Sequence, residues 1–325
     1  MKRFLRAFIL FPPINHALRL SIKCFGSLAN KVYRKGRGLI GYSGIGSFTV
    51  MGVPLVLSAK GDTPYIDKLY YEEFPEQNEA TLMSLLFTRS QCFYDIGANL
   101  GIYSILAAKL NPSLKIQSVE ADPIVYARLM EHITKNQVSQ QVSPHHVAIG
   151  DHEGHINLSV PQQKIVTTTS SIIGQHTSHF LDRDAAQVQV PLTTLDAMVY
   201  KQKLPAPDLI KIDIELAENL ALIGARKILE EHKPNLIMEV FNYEVKVGEN
   251  PTLSQQLTPT YTREIMDCLR HYGYHFFVMG TKGILYVEDL FSNQDANNYC
   301  FTTKLPPKRY YPWREADAFV ASISI

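Results

Sequence analysis

Cysteine is scarce and scattered. Cys24, Cys92, Cys268 and Cys300 are the only four in 325 residues, and no two form a CxxC pair. That spacing supplies neither a disulfide framework nor a structural zinc site, and it points to a reducing compartment. Long apolar runs are also missing: none reaches the roughly 18–20 residues that a membrane-spanning helix requires. Net charge is almost absent, with 32 Lys and Arg against 31 Asp and Glu, so no global field draws nucleic acid and no nucleic-acid partner is expected. With 46% hydrophobic residues, the chain has ample apolar surface to offset ordering entropy, which excludes wholesale disorder. A globular, cytoplasmic protein is expected.

One local absence stands out. The first 60 residues carry ten Lys and Arg and no acid; Asp62 is the first. Met1 to Phe11 has the charged start and apolar centre of a signal peptide, but it runs into Pro12-Pro13 without a small-residue cleavage site, so secretion is not expected. Ile14 to Arg34 then reads as a basic amphipathic helix, with Leu18, Ile22, Phe25, Ala29 and Val32 on one face. Two roles stay open for it: packing on the body of the protein, or peripheral contact with an anionic membrane.

Further along, Ser47–Val50 and Pro54–Ser58 predict a hairpin, and Ile66–Phe87 a helical stretch broken near Pro75. From Cys92 the texture becomes strand, helix, strand, helix. Strands are expected at Cys92–Ile96, Lys115–Val119 and Val142–Ile149, with helices at Ile102–Leu110 and Pro123–Asn136 between them. After strands at His155–Val160 and Gln187–Pro191, flanking a Thr/Ser-rich loop at Thr167–Ser171, the rhythm resumes. It gives strands at Asp208–Ile212 and Asn235–Phe241, a helix over Glu218–Glu231, another over Tyr261–Tyr272, and a closing hairpin, Tyr274–Met279 with Gly283–Val287. Repeated β–α units predict an α/β fold, a mostly parallel Rossmann-like sheet with helices on both faces. The expected organisation is an N-terminal extension over 1–90, one catalytic domain over 91–290, and a tail over 291–325 packed on that domain.

The chemistry concentrates at strand ends. Tyr94-Asp95-Ile96-Gly97-Ala98-Asn99-Leu100-Gly101 joins the first strand to its helix, with glycines that let backbone pass close to a ligand and free N–H groups at the helix start. The spacing is G-x-x-x-G, not the G-x-G-x-x-G of dinucleotide sites. A carboxylate at Asp95 would repel a pyrophosphate and favour an ammonium or sulfonium centre. Glu120, at the end of the second strand, is placed to accept ribose hydroxyls, a device that nicotinamide enzymes share, while Asp122 before Pro123 reads as a helix cap. Ala148 and Ile149 end the third strand, where backbone groups would meet an adenine ring. The next unit, Ile210-Lys211-Ile212-Asp213-Ile214-Glu215-Leu216-Ala217-Glu218, sets three acids at a strand end and turn, and Glu239 ends the strand after it. Such carboxylates are candidate general bases or hydroxyl acceptors. No spacing demands a metal ion, and none is expected.

The ordered set DIGANLGIYS, SVEADP, AIGDHEG, PLTTLD, LIKIDIELAE and KPNLIMEV, from about Phe93 to Phe241, resembles the FkbM family of S-adenosylmethionine-dependent methyltransferases. The resemblance implies a class I methyltransferase fold, S-adenosylmethionine as cofactor, and O-methylation of a hydroxyl on a sugar, glycan or natural-product acceptor. It implies cofactor roles for Asp95, Gly97, Gly101 and Glu120, joined by Asn99, Ala148 and Ile149, and an active-site role for Asp213. Asp213 is the first candidate base and Glu239 the second, with Glu215 orienting the acceptor. The family pattern I-D-x-E-G-x-E has glycine where this chain has Leu216, and leucine there is expected to add bulk near the acceptor. A nicotinamide-dependent oxidoreductase and a non-catalytic methyltransferase-like binding protein are the competing readings.

Overall fold

A computed structural model describes residues 42–60, 62–71, 74–161, 185–241, 253–291 and 297–324. The expected helix at Ile14–Arg34 and the Thr167–Ser171 loop lie outside the described residues. The first described element is the hairpin β1 (Ser43–Val50) and β2 (Val53–Lys60), turned by Met51 and Gly52, both at left-handed φ. Helices α1 (Pro64–Tyr71) and α2 (Gln77–Phe87) fall on either side of Pro75, where the missing N–H of proline breaks the run.

Then come the β–α units: β3 (Cys92–Ile96), α3 (Ile102–Leu110), β4 (Lys115–Glu120), α4 (Pro123–Lys135) and β5 (Val142–His146). All five residues of β3 are buried, as a strand covered on both faces requires. Asp122 caps α4 as expected, its carboxylate accepting the N–H groups of Ile124 (2.8 Å) and Val125 (3.2 Å) ahead of Pro123. The predicted strand Val142–Ile149 divides. Its first part stays in the main sheet, and β6 (Ala148–Ile149) leaves to join β7 (Gly154–Pro161) and β8 (Ala185–Thr193) in a small sheet ordered β6-β8-β7.

After a π-helical turn at Ala197–Lys201 come β9 (Leu209–Ile212), α5 (Glu218–Ile223), α6 (Arg226–Glu231) and β10 (Asn235–Glu239). The single helix expected over Glu218–Glu231 is broken at Gly224. A Cβ there would collide with the Gly150 carbonyl, and the Asp196 carboxylate caps the new start by accepting from Lys227 N and Ile228 N. The chain closes with α7 (Leu253–His271), β11 (His275–Met279), β12 (Gly283–Val287), β13 (Asn298–Thr302), β14 (Tyr310–Pro312) and α8 (Ala316–Ile323).

The main sheet runs β14-β12-β11-β13-β10-β9-β3-β4-β5. The five strands from β10 to β5 are parallel; β13 enters antiparallel between β10 and β11. The expected boundary at 290 is therefore wrong in one respect: residues 298–302 form an interior strand, not a tail laid on the surface. Tyr299, Cys300, Phe301 and Thr302 are all buried, a pattern that a short segment after a polar run conceals in the sequence. One core, with Phe93 and Ile116, lies under the hairpin, α2, α3, α4 and α8; the other, with Tyr94, Ile210 and Met238, lies under α5, α6 and α7. Strand order reverses at β3, since β4 and β5 extend one way and β9 and β10 the other. In open α/β sheets ligands bind at that reversal, beyond the carboxyl ends of the strands.

His132 ties the hairpin to this region. Fully buried on α4, it contacts the Leu100 carbonyl through Nδ1 (2.9 Å) and the Ser58 N–H through Nε2 (3.0 Å), which fits one neutral tautomer. His132→Ala leaves both backbone groups unpaired and is expected to cost about 2–4 kcal/mol in urea denaturation. Burial pulls the imidazole below the usual histidine range. The unfolded chain therefore binds the proton first, and the wild-type stability that His132 contributes should fade as pH drops below about 6.5, a slope absent from the variant.

Candidate active site

Two adjoining cavities open at the carboxyl ends of β3, β4 and β9. Gly97, Asn99, Asp213 and Glu215 line both. The first is walled by Glu120, Ala148, Ile149 and Leu158; the second by Tyr65, Glu76, Asp95, Tyr103, Lys211 and Glu239. Every expected site residue but one thus borders a cavity. Gly101 lines neither. At φ 80° it starts α3, and a Cβ would collide with Leu129, so its smallness serves the packing of α3 on α4.

Gly97 is likewise explained within the chain. Its φ is 79°, and a Cβ would strike the Asp213 carbonyl. The Asp213 N–H in turn donates to the Ile96 carbonyl (3.0 Å), so the loops after β3 and β9 cross at the closest approach that glycine permits. Between them, Asn99 stands at φ 52°. Its N–H donates to Glu120 Oε2 (2.9 Å), and the Asp122 N–H donates to Glu120 Oε1 (2.8 Å). The Asn99 side-chain oxygen is buried and has no hydrogen-bond partner among the described residues.

Lys211 is the residue that motif reading passed over. It sits mid-strand in an apolar β9 and is only 5% exposed. Its Nζ lies 2.8 Å from Asp213 Oδ2 and 3.7 Å from Glu79 Oε1, with the Tyr103 ring 5.1 Å away. Burial pulls the lysine down, but Asp213, Glu79, Asp95 and Glu76 outweigh it and hold the ammonium well above the usual range. A lysine flanked by isoleucines in a strand was the available signal.

The acids divide by surroundings. Asp95 is 1% exposed and accepts from Ser104 Oγ (2.5 Å), with burial pushing its carboxyl up. Glu218, also 1% exposed, accepts from Ile214 N (2.9 Å) and the Tyr261 hydroxyl, so it closes the 213–218 turn. Glu239 is pushed up to about 9 by burial and by the charges of Asp213 and Glu215. Four histidines close in sequence to Ala148 and Ile149 stay out of both cavities: His145 meets Gln117, His146 the Ala121 carbonyl, His152 pairs with Asp151, and His155 sits in β7.

Leu216 overturns one expectation. It stands at φ 72°, beside Glu215 at φ 56°, in the conformation that glycine adopts freely. Yet its side chain is 5% exposed and belongs to the core under α5, bordering neither cavity. The leucine adds no bulk to either cavity.

The model of the Methyltransferase FkbM domain matches residues 95–276, more than half of the chain. The protein therefore has the α/β fold of a class I methyltransferase and belongs to the FkbM methyltransferase family. A curated relative, the 31-O-demethyl-FK506 methyltransferase FkbM of Streptomyces tacrolimicus, is 21% identical over 177 residues, spanning 48% of this chain and 67% of its own length. Among solved structures, methyltransferase FkbM from Methylobacillus flagellatus is 17% identical with a TM-score of 0.41, covering 73% of this chain and 54% of that one. This chain thus spans about half the length of that relative. An O-methyltransferase from Bacillus cereus, solved in complex with SAH, is 11% identical at a TM-score of 0.42 over 70% of this chain and 80% of that one.

Two outcomes follow. Leu216→Gly relieves about 1 kcal/mol of left-handed strain but empties a buried leucine site, so a net loss of about 2–3 kcal/mol in urea unfolding is expected. Between pH 4.5 and 9, folded Glu239 keeps a proton that the unfolded chain has released, so stability falls as pH rises. Glu79, Glu120 and Glu218, each pushed up to about 7, act in the same direction only below that value. Glu239→Gln should flatten the decline between pH 7 and 9, read from urea midpoints at pH 7, 8 and 9.

Proposed function

We propose that the protein is an S-adenosylmethionine-dependent O-methyltransferase acting on a hydroxyl of a sugar, glycan or natural-product acceptor. The observation that carries this reading is the pair of cavities that share Gly97, Asn99, Asp213 and Glu215, with a ribose-type acid on one side and a set of carboxylates on the other. The residues fit the cofactor. Glu120 has used one lone pair on each oxygen for the loop N–H groups, leaving others for ribose hydroxyls. Ala148, Ile149 and Leu158 give an apolar slot for a base. Asp95, the Asn99 oxygen and the start of α3 are suited to a zwitterionic amino-acid portion and a cationic sulfur.

Bound there, S-adenosylmethionine supplies an electrophilic methyl group on a sulfonium. The chain's own part is to orient an acceptor hydroxyl and take its proton. Asp213, more than a third exposed and held by Lys211, is the first base, facing a cavity that it shares with Glu239 and Glu215. Glu239, protonated at neutral pH in the free protein, is suited to donate a hydrogen bond to the acceptor until a cation arrives beside it. Fixing these groups on two adjacent strand ends is a positioning contribution.

Titration calorimetry with S-adenosylmethionine tests the cofactor half. Asp95→Ala is expected to lower affinity roughly 10- to 100-fold, while Asp151→Asn, exposed and outside both cavities, leaves it unchanged. Tight NAD binding without S-adenosylmethionine binding would favour the oxidoreductase reading. Labelled methyl transfer to a panel of glycan and small-metabolite hydroxyls, with mass spectrometry of products, separates an enzyme from a binding protein.

A further inference from the structure

The second cavity is not built from the family-matched segment alone. That segment begins at residue 95, yet Tyr65 on α1 and Glu76, just ahead of α2, form part of the wall. Glu76 is held in place from two sides: the Tyr103 hydroxyl donates to its Oε2 (3.0 Å), and the Tyr65 hydroxyl bonds the same carboxylate. A surface glutamate has no such fixing.

Five carboxylates border this cavity, those of Glu76, Asp95, Asp213, Glu215 and Glu239, against one lysine. The donors are already committed. Lys211 faces Asp213 and Glu79, and both phenols face Glu76. Apart from the Asn99 amide and the proton that Glu239 holds, the side chains offer an occupant acceptors and negative charge. A phosphate or carboxylate entering would meet like charge. A hydroxyl would be tolerated, and an ammonium would be attracted.

Resting on the methyltransferase reading above, we propose that Glu76, carried by the N-terminal extension and oriented by Tyr65 and Tyr103, is a specificity-determining residue for the acceptor. It selects molecules that present hydrogen-bond donors at that wall, ranking ammonium above hydroxyl and rejecting anions. The strand ends of the family-matched segment then supply cofactor and proton chemistry, and a segment outside it supplies acceptor choice.

Ligand-observed NMR titrations test the ranking, using full-length protein saturated with S-adenosylhomocysteine. The probes share one ring and differ in charge: glucosamine, methyl glucoside and glucuronate. Wild type is expected to bind glucosamine several-fold more tightly than methyl glucoside, and glucuronate at least about tenfold more weakly. Glu76→Gln should reduce the preference for glucosamine several-fold, and Glu76→Lys should turn the order towards glucuronate, with S-adenosylhomocysteine affinity kept within about threefold in both. Tyr65→Phe, a milder change, should weaken the ranking without inverting it. Three results overturn the proposal: charge-blind binding by wild type, no binding of glucosamine to the cofactor-loaded protein, or a ranking unmoved by the Glu76 variants. Loss of S-adenosylhomocysteine affinity in the Glu76 variants also overturns it, because Glu76 would then belong to the cofactor site. Failure of wild type to bind S-adenosylhomocysteine fells the cofactor reading itself, and this proposal with it.

Discussion

A buried ammonium organises the carboxyl end of the sheet. Taking Lys211 out of water costs several kcal/mol unless its charge is met, and likewise for each acid around it. The solution is mutual. Asp213 lies 2.8 Å away and Glu79 3.7 Å away, while Asp95 and Glu76 add attraction from β3 and from the stretch before α2. Removing the lysine would leave these carboxylates facing one another in low dielectric, where like charges protonate or the structure opens. One side chain in the middle of β9 therefore lets a central strand, two neighbouring elements and the site they enclose coexist.

The backbone around it is arranged to the same end. Asp213 lies where the turn after β9 crosses the glycine turn after β3, and only a residue without Cβ at Gly97 admits that crossing. Beyond the crossing, Glu215 and Leu216 are both at left-handed φ, a conformation that costs roughly 1–2 kcal/mol for a residue with a Cβ. The strain is held from below by the buried Leu216 side chain and from the side by Glu218, which receives the Ile214 N–H. Leucine can replace glycine because burial offsets the torsional cost, and the turn keeps its acids aimed at the cavities.

The parts legible in the sequence were those with strong local rules. The β–α alternation from Cys92, the Asp122-Pro123 cap, the break at Pro75 and the terminal hairpin all follow from periodicity, capping and proline chemistry. The acids at strand ends were legible because open sheets place ligands there. What stayed hidden depends on distant partners. The break at Gly224 answers to the Gly150 carbonyl, and the insertion of β13 between β10 and β11 answers to sheet closure, neither visible within a window of neighbouring residues. Lys211 was hidden for a related reason: a lysine between isoleucines announces itself only when the acids that pay for its burial are known, and two of these, Glu76 and Glu79, lie more than 130 residues earlier. Gly101 was legible as a motif position, but its part in the packing of α3 on α4 depends on Leu129 and was not.

The two candidate bases differ in a way that spacing alone could not reveal. Asp213 and Glu239 end adjacent parallel strands and border the same cavity, but the ammonium contacts only one of them within ion-pair distance. Burial and the charges of Asp213 and Glu215 push Glu239 up to about 9. Burial and neighbouring charge suit Glu239 to hold a proton, while Asp213, more than a third exposed and paired with Lys211, is the proposed base. On the proposed chemistry a sulfonium arriving beside Glu239 would favour its charged form, so that this acid would give up its proton only once the methyl donor is in place. The order of loading, donor before acceptor deprotonation, would then be a consequence of electrostatics and would need no moving part.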